Sequence, residues 1–221
     1  MKIESLGLLG LGSRTTLFYI KELNRLYFDK KGGYTTCPFK LWNANFDVIN
    51  NLLPESSAKL DVLLQNCLTE LQNLKVDAVL IPNITLHETI DRIIAVPGII
   101  NAVNLTIAKL KEGDFTKVVL FGSLHTMESD YLKIKFKNEG ISILLPSEEE
   151  RLFIDNLRKS IYWETESMEL LKEYNHLIKK YSAKYPVVLA CTELSIGWNS
   201  SHINIFDMSR IQIGTAVENI D

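Results

Sequence analysis

Cys191, Thr192 and Glu193 follow Pro186 and the apolar run 187–190, so a thiol, a hydroxyl and a carboxylate emerge together where a buried strand would end. A short, partly β-branched run suits a strand covered on both faces, and open α/β sheets bind ligands at the carboxyl ends of such strands. A thiol there becomes a reactive thiolate if backbone N–H groups or a helix N-terminus lower its pKa. Glu193 fits a helix cap or loop carboxylate, a contact to a substrate ammonium, or an orienting partner for a neighbouring histidine.

A second constellation closes the run Ala78-Val-Leu-Ile-Pro82, where Asn83, Thr85 and His87 stand at alternate positions. His87 falls in the first turn of the helix expected next, where it either lines a cleft or packs inside. A third is Gly10-Leu11-Gly12-Ser13, between a strand and a helix. It matches neither dinucleotide nor P-loop fingerprints, because Thr15 stands where a third glycine would and no GxxxxGK[ST] exists. Backbone N–H groups at such a loop can still hold a carboxylate, with hydroxyls from Ser13, Thr15 and Thr16, or the loop is a plain tight turn. His125, after Gly122-Ser123, is a further cleft candidate; His176 reads as exposed and His202 as loop. None of the histidines has metal-ligand spacing, so no metal site is expected.

The elements that must position these groups alternate along the chain, which argues for βαβ units and mostly parallel sheets. Strands are expected over 3–9, 35–42, 78–81, 99–102, 117–121, 141–145, 187–190 and 203–206. Helices are expected over 16–27, 58–74, 88–95, 103–111, 128–139, 148–163 and 166–181. Thr85-x-x-Glu88 and Ser147-x-x-Glu150 have the form of capping boxes. Cys67 lies on the apolar stripe of the 58–74 helix and reads as core; Cys37, beside Pro38, reads as structural. The Gly-Ser pairs at 12–13 and 122–123 lie 110 residues apart, and Asn83 and Cys191 lie 108 apart. Two landmarks at nearly one offset suggest a duplicated half-unit, with halves at 1–98 plus 207–221 and at 99–206.

Bulk properties exclude several classes. The 221 residues carry 24 Lys and Arg against 27 Asp and Glu, a formal charge of −3 that offers no basic field for nucleic acid or an anionic membrane. Lys21, Arg25, Lys30 and Lys31 read as a solvated helix end. No apolar stretch approaches a membrane span, no signal peptide precedes the first strand, and three cysteines without metal spacing fit a reducing compartment; a cytoplasmic protein is expected.

Gly7-Leu-Leu-Gly10 with Ser13, Ile81-Pro82-Asn83-Ile84-Thr85-Leu86-His87, Leu120-Phe-Gly122-Ser123 with Thr126-Met127, Pro146 with Arg151, and Ala190-Cys191-Thr192-Glu193-Leu194 together resemble the aspartate/glutamate racemase family, over nearly the whole chain. The resemblance implies an α/β fold of two similar Rossmann-like three-layer halves with the active site in the cleft between them. It also implies a homodimer and cofactor-independent racemisation of an acidic amino acid. In that family two cysteines stand on opposite faces of the α-carbon, one removing a proton and the other donating one. Here Cys191 is the second. The first motif usually reads Cys-Asn-Thr-x-His, and this chain has Asn83 for the cysteine and Ile84 for the asparagine. An amide does not titrate near neutral pH, so Asn83 needs a water or His87 as its proton-transferring substitute.

The carboxylate of the substrate would be held by Thr85 and Thr192, with Ser13, Thr126 and Glu193 as further substrate-binding residues. Arg14, Arg151 and the segment 43–45 are contacts considered for a side-chain carboxylate, leaving aspartate and glutamate both open. Three functions follow in order: a racemase for aspartate or glutamate; a one-sided decarboxylase or proton-exchange enzyme; and an amino-acid-binding homologue without turnover.

Overall fold

β1 (Leu6–Gly10) is buried along its whole length, as a strand with neighbours on both edges and cover on both faces must be. The structure, a computed structural model, describes residues 2–93, 98–198 and 202–220. Its chain divides into two units, residues 1–102 with 210–221 and residues 103–209. In the first, β1 is followed by α1 (Ser13–Lys31), β2 (Phe39–Asn43), α2 (Phe46–Asn50), α3 (Ala58–Asn73), β3 (Ala78–Leu80) and α4 (Leu86–Arg92). The sheet order is β2-β1-β3, all parallel, with Leu6 opposite both Phe39 and Ala78.

Residue spacing explains these elements. In α3, Leu60, Leu64, Cys67, Leu68 and Leu71 form one stripe that packs with Leu9, Val79, Ile81 and Leu86; each fully buried leucine contributes about 1.5–3 kcal/mol of transfer free energy. Ser57 starts the helix by accepting from the Leu60 N–H. α1 begins three residues earlier than its apolar pattern suggests, because the Thr15 and Thr16 hydroxyls both donate to the Gly12 carbonyl. β2 is shorter than the expected 35–42 strand. Pro38 has no N–H to donate, and the Thr35 hydroxyl is turned back onto the Gly32 carbonyl.

The second unit runs α5 (Ala102–Glu112), β4 (Lys117–Gly122), α6 (Leu124–Glu128), α7 (Asp130–Asn138), β5 (Ser142–Leu144), α8 (Glu148–Tyr162), α9 (Met168–Ser182), β6 (Val187–Ala190), α10 (Thr192–Gly197) and β7 (Ile205–Asp207). Its four strands are parallel in the order β5-β4-β6-β7. α11 (Met208–Asn219) leads back into the first unit, where Ile220 bridges to Ile3. Lys30, expected in solvent, donates to the carbonyls of Val217, Glu218 and Ile220 and so caps the end of α11.

Three expectations are corrected. The 99–102 strand is a single bridge from Ile99 to Val79, and α5 already begins at Ala102. The 128–139 helix is broken at Ser129, whose extended backbone (ψ 158°) separates α6 from α7. The helix expected over 88–95 starts at Leu86; residues 94–95 lie outside the described ones.

Strand register makes the internal repeat explicit. Val79 pairs with Ile99 as Val187 pairs with Ile205, and Leu8 pairs with Leu80 as Leu120 pairs with Val188. Val79 and Val187 are 108 residues apart, as are Asn83 and Cys191, which makes those two residues equivalent ends of equivalent strands. Leu8 and Leu120 are 112 apart, so Gly10 corresponds to Gly122 and Leu11, not Ser13, corresponds to Ser123. The match of Gly-Ser pairs is therefore displaced by two residues.

Candidate active site

Cys191 stands at the end of β6 as the residue before α10, in extended conformation (φ −157°, ψ 129°), and its side chain does not cap the helix. The thiol instead donates to the Glu193 carboxylate, with Sγ and Oε2 2.8 Å apart. Burial is the largest influence on this thiol and pushes its pKa well above the ordinary range; the Glu193 charge and its acceptance of the S–H bond push the same way. The Arg158 cation and the Glu193 backbone N–H oppose the shift without cancelling it. The depressed thiolate pKa that a helix start would bring is thus absent. At neutral pH Cys191 is a thiol whose S–H is engaged by Glu193.

Arg158, on α8, acts electrostatically on both Cys191 and Glu193. Burial works against its charge, but Cys191, Asp155 and Glu193 outweigh it and hold the guanidinium more firmly protonated than usual. Its Nε donates to Asp155 Oδ1 at 2.8 Å. Asp155 is only 5% exposed, yet it stays ionised. Desolvation raises its pKa, and the bonds from Lys159 and the Leu124 N–H, with the Arg158 charge, lower it by more.

The remaining groups of this unit are turned inward. Ser123 caps α6 through the Thr126 N–H, and its hydroxyl lies 2.8 Å from that of Thr126, which is buried. Thr192 is buried, and its hydroxyl accepts from Ser209. Ser195 donates to Asp207 at 2.8 Å beneath the same helix. Arg151 is spent on the Pro146 carbonyl and Glu128. His125 is half-buried, and its Nε2 is shielded from solvent without a hydrogen bond among the described residues.

In the first unit the Thr85-Glu88 capping box does not form: Thr85 has helical dihedrals and makes no cap bond, while Glu88 accepts from Ser56. Asn83 does the capping, its Oδ1 accepting from the Leu86 N–H at 3.1 Å. Asn83 and Thr85 are half-buried, but His87 is 0% exposed. His87 lies 108 residues before Ser195, which is also fully buried, so it occupies the interior position of the repeat and not a surface one. Ser13 is exposed at the first turn of α1. Thr15 and Thr16 close the Gly10–Ser13 loop internally, Thr16 also accepting from the Leu11 N–H, and so offer it no outward hydroxyl. A Cβ on Gly10, the last residue of β1, would meet Asn43 Oδ1 at 2.3 Å, so the Asn43 amide would have to move. Asn45 caps α2 through the Asp47 N–H.

No family model and no curated protein sequence matches the chain. Solved structures do. A proposed Asp/Glu racemase from Yersinia pestis is 22% identical with a TM-score of 0.82, over 99% of this chain and 98% of that one. An aspartate racemase homologue from Pyrococcus horikoshii OT3 is 19% identical with a TM-score of 0.79, again over 99% and 98%. The Picrophilus torridus aspartate racemase is 16% identical with a TM-score of 0.76, over 97% and 94%. The chain shares their fold.

That fold brings together Cys191, Glu193 and two residues that sequence reading passed over, Arg158 and Asp155. An Arg158-Lys159 pair on a charged helix reads as solvated surface; the only local signal is Asp155 three residues earlier, at ion-pair spacing. Among the described residues no three His, Cys, Asp or Glu side chains are grouped as metal ligands would be, and no helix is long and apolar enough to cross a membrane.

Proposed function

We propose that the protein is a cofactor-independent enzyme of the aspartate/glutamate racemase type, moving the α-proton of an acidic amino acid through Cys191. The observation that carries this reading is the Cys191 thiol bonded to the Glu193 carboxylate at the end of β6, in a fold shared with the Picrophilus torridus aspartate racemase. An α-proton is very weakly acidic, so its removal needs a desolvated base and fixed positive charge near the developing carbanion. Cys191 passes its proton to Glu193; the thiolate sulfur takes the α-proton, and the C–H electron pair moves into the substrate carboxylate. Protonation of the carbanion by the thiol reverses the step. Arg158 supplies the fixed charge: Asp155 holds its Nε, and its two Nη groups make no hydrogen bond among the described residues. A planar guanidinium so placed suits a carboxylate.

A second reading has a specific observation behind it. Asn83 is an amide engaged as a helix cap, and His87 is fully buried, which favours proton transfer on one face only, as in a single-cysteine decarboxylase or an exchange enzyme. D- and L-aspartate and glutamate incubated in deuterated water separate the two. A racemase exchanges and inverts the α-hydrogen of both enantiomers; a one-sided enzyme exchanges with retention or releases carbon dioxide. Exchange that survives Cys191→Ala would sink the role given to Cys191, and ligand stabilisation without exchange would leave a binding protein.

A further inference from the structure

Asp155 is a buried carboxylate for which the proton transfer has no direct use. It lies on α8, and its two oxygens hold three donors from different places. Oδ1 accepts from the Leu124 N–H at 3.0 Å and from Arg158 Nε at 2.8 Å, and Oδ2 meets Lys159 Nζ at 2.6 Å. Leu124 opens α6 directly after the Gly122-Ser123 turn, so one carboxylate ties that turn and the Arg158 guanidinium to a single helix. The side chains differ in exposure: 7% for Asp155, 28% for Arg158 and 53% for Lys159. A buried acid that fixes a guanidinium by its Nε leaves the other edge of the fork pointing in a set direction.

We propose that Asp155 is a positioning residue, which holds the Arg158 guanidinium against the Cys191–Glu193 pair and locks the Gly122-Ser123-Leu124 turn to the same helix. The inference rests on Cys191 as the proton-transferring group, but its test does not need turnover. The charged groups that act on Cys191 are Glu193 from α10 and Arg158 from α8; β6, behind it, contributes only Val187–Ala190. Those that act on Arg158 are Asp155, Glu193 and Cys191 itself.

The two roles open to Asp155 predict opposite signs. If it acted only as a nearby negative charge, its removal would favour the Cys191 thiolate. If it positions Arg158, its removal lets the stabilising cation swing away and disfavours the thiolate. Iodoacetamide alkylation of Cys191, followed by mass spectrometry across the alkaline range, reads this directly, because Cys37 and Cys67 are buried and only the thiolate reacts.

Asp155→Asn is expected to move the alkylation midpoint up and to slow the reaction below it by about threefold or more. Arg158→Gln should do the same, and the double variant should be no slower than Arg158→Gln alone, since both changes remove one interaction. A midpoint that stays or falls in Asp155→Asn, or additive effects in the double variant, overturns the proposal. If Asp155→Asn does not fold, Arg158→Lys carries the test. Lysine keeps the charge but has no Nε for Asp155 to grip, so a raised midpoint is expected and a wild-type one refutes it. Absence of deuterium exchange in the wild-type protein would refute the proposed function while leaving these thiol profiles intact.

Discussion

Replacing Glu193 by glutamine keeps the shape of the Cys191 partner and removes its charge. Sγ and Oε2 are 2.8 Å apart, so a thiolate facing the carboxylate would be repelled by about 1.5 kcal/mol at the dielectric of water and about 6 kcal/mol at an effective constant near 20. Glu193 is half-exposed, which places the term toward the lower end, about 1.5–3 kcal/mol once solvent screening is counted. A difference of about 1.4 kcal/mol is tenfold in an equilibrium, so the thiol pKa should fall and the thiolate fraction below the midpoint should rise about 10- to 100-fold. The sign is fixed: Glu193 raises the thiol pKa, and its neutralisation lowers it. Alkylation of Cys191 by iodoacetamide at neutral pH should therefore accelerate about 10- to 100-fold, the gain vanishing above both midpoints. Deuterium exchange at the substrate α-carbon should move the other way, because the thiol has lost the carboxylate that receives its proton. An unchanged or raised alkylation midpoint would refute the electrostatic account. Exchange that rises along with the thiolate would refute the relay, by showing that thiolate supply alone limits the reaction.

Asn83→Cys places a thiol at the equivalent strand end of the first unit and removes the cap on the Leu86 N–H, at a cost of about 1 kcal/mol; chiral chromatography should find inversion increased relative to exchange, and an unaltered ratio would count against Asn83 as the missing half of the proton pair. Glu150 sits in the capping box of α8. Although burial raises its pKa, bonds from Lys180, Tyr181 and Ser147 outweigh that and bring it from 4.5 to about 2. Discounted for solvent screening, its stabilisation of about 1 kcal/mol is present above the unfolded carboxylate pKa and lost as pH falls toward about 2. Glu150→Gln should accordingly lower the melting temperature at neutral pH, with the gap from wild type closing in strong acid.

Much of the frame was legible because it depends on local pattern. Val187–Ala190 forms a strand with the expected bounds, since Pro186 cannot extend the ladder and Thr192 begins a helix. Ser147-x-x-Glu150 makes both bonds of its capping box. Thr85-x-x-Glu88 has the same letters and makes neither, because a cap is decided by backbone conformation as well as residue type. Asn83, following Pro82, lies at the distance from which an amide oxygen reaches the N–H three residues on, and the helix starts there. Arg158 and Asp155 escaped notice for another reason. Their meaning comes from Leu124 and Cys191, 31 residues before Asp155 and 33 residues after Arg158, and no helical periodicity encodes a contact at that range.

Register makes Asn83 equivalent to Cys191, and the same offset makes Thr85 equivalent to Glu193. In the second unit that pair is a thiol and the carboxylate that accepts its hydrogen bond; in the first it is an amide committed to a helix cap and a hydroxyl with no cap bond. Neither member of the first pair titrates near neutral pH. Nor does the repeat put His87 in their place: it stands where the second unit has the buried Ser195. Among the described residues, the thiol–carboxylate pair therefore stands at one strand end and has no titratable counterpart at the equivalent one. Under the proposed function, the second proton of an inversion would then come from solvent, and a slower, isotope-exchanging half-reaction is the expected readout.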